Sequence, residues 1–113
     1  MAKLAFWITA GPDLESKALA GLRLASRLKT VRQQDVKVYL FGPGVALAAS
    51  SSEDVAAALE SLREAGVPVG ACPANVKSMG IDEQLVLNAG VELNPAGEVL
   101  IDWVEAGYQV IGI

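Results

Sequence analysis

Apolar positions along the chain follow two rhythms that alternate from end to end. Five short stretches are apolar nearly throughout and rich in strand formers: Lys3–Thr9, Val36–Phe41, Val67–Ala71, Val91–Leu93 and Tyr108–Ile113. Between them apolar residues recur at helical spacing. From Leu14 to about Arg32 the stripe is Leu14, Ala18, Leu22, Ala25 and Leu28. Pro12 or Asp13 suits its start, while Arg27, Lys29 and Arg32 complement the negative end of the helix dipole. The second strand runs into the breaker Gly42-Pro43-Gly44 and a loop of small residues. Ser51 or Ser52 then caps a helix with Glu53 and Asp54 in its first turn, Val55, Leu59 and Leu62 on its apolar side, and Gly66 at its end. A short helical piece, Pro73–Met79, follows the third strand, with Gly80 and a further helix near Asp82–Asn88 after it. Asn94–Gly97 reads as a turn, and Glu98–Ala106 as a helix using Val99, Leu100, Trp103 and Val104.

Strands that are apolar on both sides and separated by helices predict a parallel sheet covered on both faces. The fold class is therefore α/β, a three-layer α/β/α sandwich, and residues 1–113 form one domain with no linker, repeat or low-complexity segment.

Composition sharpens this picture. Hydrophobic residues make up 52% of the 113 and charged residues 19%. No apolar run approaches the ~20 residues that a bilayer span needs, and the opening Met1–Trp7 is too short and too weakly charged for a signal peptide. The surplus apolar surface is expected to enter a core and a subunit interface, so a homo-oligomer is expected. The net charge is −4 with no dense basic run, which disfavours nucleic-acid binding. A single Cys cannot close an intrachain disulfide, which fits a reducing, cytoplasmic setting. The chain has no His. A Ser-His-Asp triad, a Cys-His dyad and a Cys/His zinc site are thereby excluded within one chain, and no metal or cofactor is expected.

The candidate chemistry is at Cys72. In open parallel α/β sheets ligands gather where strand C-termini meet helix N-termini, and the loops Thr9–Asp13, Gly42–Ser50 and Cys72–Asn75 occupy such places. Cys72 directly follows an apolar strand and precedes Pro73, which suits a first helical position, so Cys72 is expected at the N-cap. Free N–H groups and the helix dipole there favour a thiolate, bringing the thiol below its ordinary pKa of about 8.5. Lys77, one turn on, adds a positive charge. Against this, a free Cys often serves only as a small buried apolar group. Gly42-Pro43-Gly44 lacks the Lys-Ser/Thr ending of a phosphate loop and the third Gly of a dinucleotide fingerprint; it is a turn needing backbone freedom, or a wall beside Cys72. Asp13 suits a helix cap, and Trp7, Trp103 and Tyr108 suit core or interface.

The stretch Lys37–Val45 (Lys-Val-Tyr-Leu-Phe-Gly-Pro-Gly-Val), a helix, and then Ala65–Cys72 (Ala-Gly-Val-Pro-Val-Gly-Ala-Cys) resembles the DsrE/DsrF-like (YchN-like) sulfur-relay family. Gly80-Ile81 and the closing helix and strand match it too, so the resemblance covers nearly the whole chain. It implies a five-stranded parallel sheet, trimers or hexamers, and, in active members, a cysteine here that accepts sulfane sulfur as a persulfide and hands it to a partner. That role falls on Cys72. A sulfurtransferase-type reading follows, with donor and acceptor proteins as partners. Backbone N–H groups of Ala74 and Asn75 steady the anion, Lys77 assists, and Gly42, Gly44 and Val45 wall the pocket. Two other readings stand beside it: a non-catalytic oligomeric module that binds a small molecule or protein around an inert Cys72, and a thiol redox sensor. Pro73 and the lack of a second thiol leave the subfamily open.

Overall fold

In the computed structural model, which describes residues 1–113, five strands form one parallel sheet. They are β1 (Lys3–Ile8), β2 (Asp35–Leu40), β3 (Val69–Ala71), β4 (Glu92–Leu93) and β5 (Gln109–Gly112), in the spatial order β4-β3-β2-β1-β5. The register sets Trp7 beside Tyr39, Tyr39 beside Gly70, and Ala71 beside Leu93. The fold class and the five parallel strands are as expected. The third strand is shorter than its apolar run, because the Val67 N–H turns back to the Leu62 carbonyl at 2.9 Å and closes the preceding helix.

Five α-helices cover the sheet: α1 (Glu15–Thr30), α2 (Glu53–Glu64), α3 (Pro73–Ser78), α4 (Glu83–Asn88) and α5 (Ala96–Glu105). Helix α1 buries Ala18, Leu19, Gly21, Leu22 and Ala25, and Gly21 packs against Ile8 and Ile113. Beside it, α2 buries Val55, Ala58, Leu59 and Leu62. Ser52 caps α2 by accepting from the Val55 N–H at 3.3 Å, one of the two serines expected to do so. The Gly42–Ala49 segment is a 3-10 helix and not an open loop. Its small residues allow that tight winding, and it buries Val45, Leu47 and Ala48.

The other face of the sheet carries α5, which begins at Ala96, two residues earlier than its apolar pattern, because Pro95 serves as the N-cap. Trp103 is its one buried residue. The Trp103 ring meets Trp7 and Tyr39 edge-on, with centroids 5.9 and 6.2 Å apart, and Trp7 stacks on Tyr39 at 4.8 Å. Such offset and edge-to-face pairs suit the charge distribution of aromatic rings. Together they make the layer beneath α5.

Tyr108 secures the far edge of this layer. Its hydroxyl donates to Asp35 Oδ2 at 2.8 Å, and Lys37 Nζ lies 4.9 Å from its ring centroid. Burial, then the bond and charge of Asp35, push the phenol up to about 12 from its ordinary 10.0. The folded chain thus binds this proton more tightly than the unfolded chain, so the stabilisation is whole below pH 10 and is lost as pH rises toward 12. Chemical unfolding across that window should show the decline in wild type and a shallower one in Tyr108→Phe.

Candidate functional site

Cys72 stands at the N-cap of α3 with extended backbone angles, and Pro73 takes the first helical position, as expected. Its N–H donates to the Leu40 carbonyl at 3.2 Å, continuing the β2–β3 ladder, and its carbonyl accepts from Val76 N–H at 3.0 Å, opening the helix. The backbone of Cys72 is therefore fixed on both sides.

The sulfur is placed differently from an N-cap anion. Its side chain makes no capping hydrogen bond to the amides of α3, and Cys72 is 5% exposed. Side chains alternate along an extended strand, so Cys72 shares the face of Gly70 and hence of Tyr39, the residue in register with Gly70. A Cβ on Gly70 would stand 3.0 Å from Tyr39 Cδ1. The missing side chain lets the tyrosine ring lie across β3. There its hydroxyl donates to the Asn94 carbonyl at 2.7 Å. Burial, then the charge and hydrogen bond of Cys72, raise the Tyr39 phenol well above its ordinary value. Tyr39 thus stays protonated.

The residues grouped around Cys72 by sequence are only partly brought together. Asn75 Oδ1 accepts from the Gly42 N–H at 2.9 Å, tying α3 to the end of β2. Gly44 and Val45 are buried, and neither lines any of the five cavities at the surface. Gly44 instead lies against the Ile8 carbonyl, where a Cβ would come within 2.1 Å of the oxygen. Ala74 and Lys77 are exposed on α3. A groove of about 250 Å³ is lined by Tyr39, Gly70, Asn94 and Trp103 with Lys37 and acidic side chains, and Cys72 is not among its lining residues. No buried polar or charged side chain stands elsewhere in the core, and no helix is long and apolar enough to cross a membrane.

The sequence pattern of the DsrE/DsrF-like family matches residues 2–113. The chain belongs to that family. Among solved structures it is similar to the ychN protein from E. coli, with a TM-score of 0.80 at 22% identity over 100% of both chains. It is also similar to a protein of unknown function from Methanobacterium thermoautotrophicum, at 0.82 and 19% over 100% of both chains. A conserved protein of unknown function from Bacteroides thetaiotaomicron gives 0.79 at 18%, over 96% of this chain and 94% of that one. These likenesses concern the fold. No curated protein sequence matches the chain.

Within this DsrE/DsrF-like domain, Tyr39, Gly70 and Asn94 are the site neighbours that sequence reasoning passed over. Tyr39 carries no signal of its own inside an apolar strand. Once β2 and β3 are paired in register, strand alternation puts Tyr39 and Cys72 on one face.

Proposed function

We propose that this DsrE/DsrF-like protein is a sulfur carrier of the sulfurtransferase type, with Cys72 as its carrying residue. The observation that carries the reading is the placement of the chain's one thiol between a sheet strand and a helix N-terminus. In the forward step the Cys72 thiolate attacks the outer sulfur of a donor persulfide. The S–S bond of the donor breaks, the donor leaves as a thiolate with the bonding electron pair, and Cys72–S–SH remains. In the return step an acceptor thiolate attacks that outer sulfur and Cys72 leaves as thiolate. The sulfane sulfur keeps its oxidation state throughout, so no external oxidant is needed, and the thiolate fraction and access set the rate. Ala74, Asn75 and Lys77 supply the amides and the positive charge around the mouth, and Gly42 is held there by Asn75.

The reading includes homo-oligomers, trimers or hexamers, in the cytoplasm, with donor and acceptor proteins as partners. Support for association comes from the outward side of α5, where Ile101 and Val104 are exposed.

The burial of Cys72 favours a second reading, an oligomeric binding module with an inert thiol. Incubation with a small persulfide donor separates the two by intact mass. The relay reading expects one added sulfur on wild type and none on Cys72→Ser. An unchanged mass with every donor, in folded protein, favours the module.

A further inference from the structure

We propose that copies of this chain associate head to tail, the outer side of α5 in one copy seated on the outer side of α1 in the next. This pairing rests on the homo-oligomer part of the reading above and is independent of the sulfur chemistry.

Charge is divided unevenly between two helices on opposite faces of the sheet. Gly21 of α1 meets Ile8, while Trp103 of α5 meets Trp7, which points the other way from β1. The chain is acidic overall, at −4, yet α1 holds Lys17, Arg23, Arg27 and Lys29 against a single acid, Glu15. Helix α5 holds Glu98, Asp102 and Glu105 and no basic residue. The one ion pair within the chain joins Arg63 to Glu60, so Arg23, Arg27 and the three carboxylates of α5 have no charged partner in their own copy. Each helix also exposes apolar side chains, Leu24 and Val31 on α1 and Ile101 and Val104 on α5.

The order of these stripes around each helix fits one pairing. On α1, Arg23 and Arg27 precede Leu24 and Leu28 by one position, and Val31 extends the apolar stripe. On α5, Glu98, Asp102 and Glu105 follow Gly97, Ile101 and Val104 by one position. Both apolar stripes have the spacing i, i+4, i+7, and each spans about 10 Å. When two helices pack in parallel, residues just before one seam face residues just after the other, as g faces e in a parallel coiled coil. Arginines then meet carboxylates along the edge while the apolar stripes meet at the centre. Neither copy has to invert. All five strands are parallel, and α1 and α5 each return the chain from the end of one strand to the start of the next, so both run the same way. The receiving side is hollowed, with a groove of about 180 Å³ lined by Leu24, Arg27, Leu28, Val31 and Arg32. Gly97, with nothing within 4 Å of its Cβ position, lets the backbone of α5 come close. Because unlike surfaces meet, each copy keeps an α1 free on one side and an α5 free on the other, which builds a ring or an open stack rather than a two-fold pair.

The test is charge exchange in the full chain, with the dissociation constant taken from a sedimentation dilution series and folding checked by circular dichroism. One variant carries Asp102→Lys with Glu105→Lys, the other Arg23→Glu with Arg27→Glu, all at exposed positions. Each alone should associate at least about tenfold more weakly than wild type, because like charges then face each other. An equimolar mixture of the two should regain most of the lost affinity, and so should a single chain carrying all four changes. Wild-type affinity in either variant alone, or a loss that neither the mixture nor the fourfold chain restores, overturns the α1–α5 pairing while wild-type association still stands. A wild type that sediments as a monomer at every concentration overturns both the pairing and the homo-oligomer reading. Sulfur loading on Cys72 in the same samples reports separately on the relay.

Discussion

Gly44→Ala is expected to cost the fold about 4 kcal/mol or more, the range reached only when a defined mechanism fails. The added Cβ would sit 2.1 Å from the Ile8 carbonyl oxygen and 3.0 Å from its carbon, both backbone atoms that cannot turn aside. That same oxygen accepts the Phe41 N–H at 2.9 Å, so moving it breaks the last rung between the ends of β1 and β2. The neighbouring Gly42 is the control. It has φ +55 with nothing within 4 Å of its Cβ position, so Gly42→Ala costs only the left-handed backbone strain of about 1–2 kcal/mol. Urea unfolding of the two variants should show a large loss of midpoint in the first and a modest one in the second. Equal losses would mean that the close approach at Ile8 relaxes freely.

Trp103→Ala is the second large effect, at about 3–5 kcal/mol. Helix α5 buries one residue, and that residue is Trp103. The indole bridges Trp7 and Tyr39, so its loss leaves a void over the sheet and removes the anchor of the helix. Amides of α5 should then exchange with solvent far faster than those of α1, which is held by five buried residues. Uniform acceleration across both helices would instead point to global destabilisation with α5 still docked. Because Tyr39 belongs to the same aromatic layer, this variant should also loosen the surroundings of Cys72.

Much of the architecture could be read from the residues because the signals were local. The apolar runs of β1, β2 and β5 and the stripe of α1 carry their own period, and Pro73 marks the start of α3 through its fixed φ. The Gly42–Ala49 helix carries no helical signal in sequence, because its small residues and i to i+3 bonding give no amphipathic rhythm. Pro95 hid the true start of α5, since the proline and glycine of Asn94–Gly97 read equally well as a turn. At the site, the position of Cys72 was legible and its direction was not. Where the sulfur points depends on β2–β3 register, which pairs Tyr39 with Gly70 across 30 intervening positions in sequence, more than any local pattern spans. Gly44 shows the same limit from the other side: its neighbour is Ile8, and the need for glycine there arises only on folding.

Family membership and the mouth of β3 together make Cys72 the residue on which the functional account depends, while its 5% exposure is the strongest fact against ready access. The most direct measurement is peptide-resolved mass spectrometry of the full chain, first loaded from a small persulfide and then mixed with an acceptor thiol. The account predicts one sulfur on the peptide bearing Cys72, its disappearance on mixing, and its recovery on the acceptor. A Cys72 peptide that never gains sulfur in folded protein, or that holds it unchanged before excess acceptor, would contradict the account.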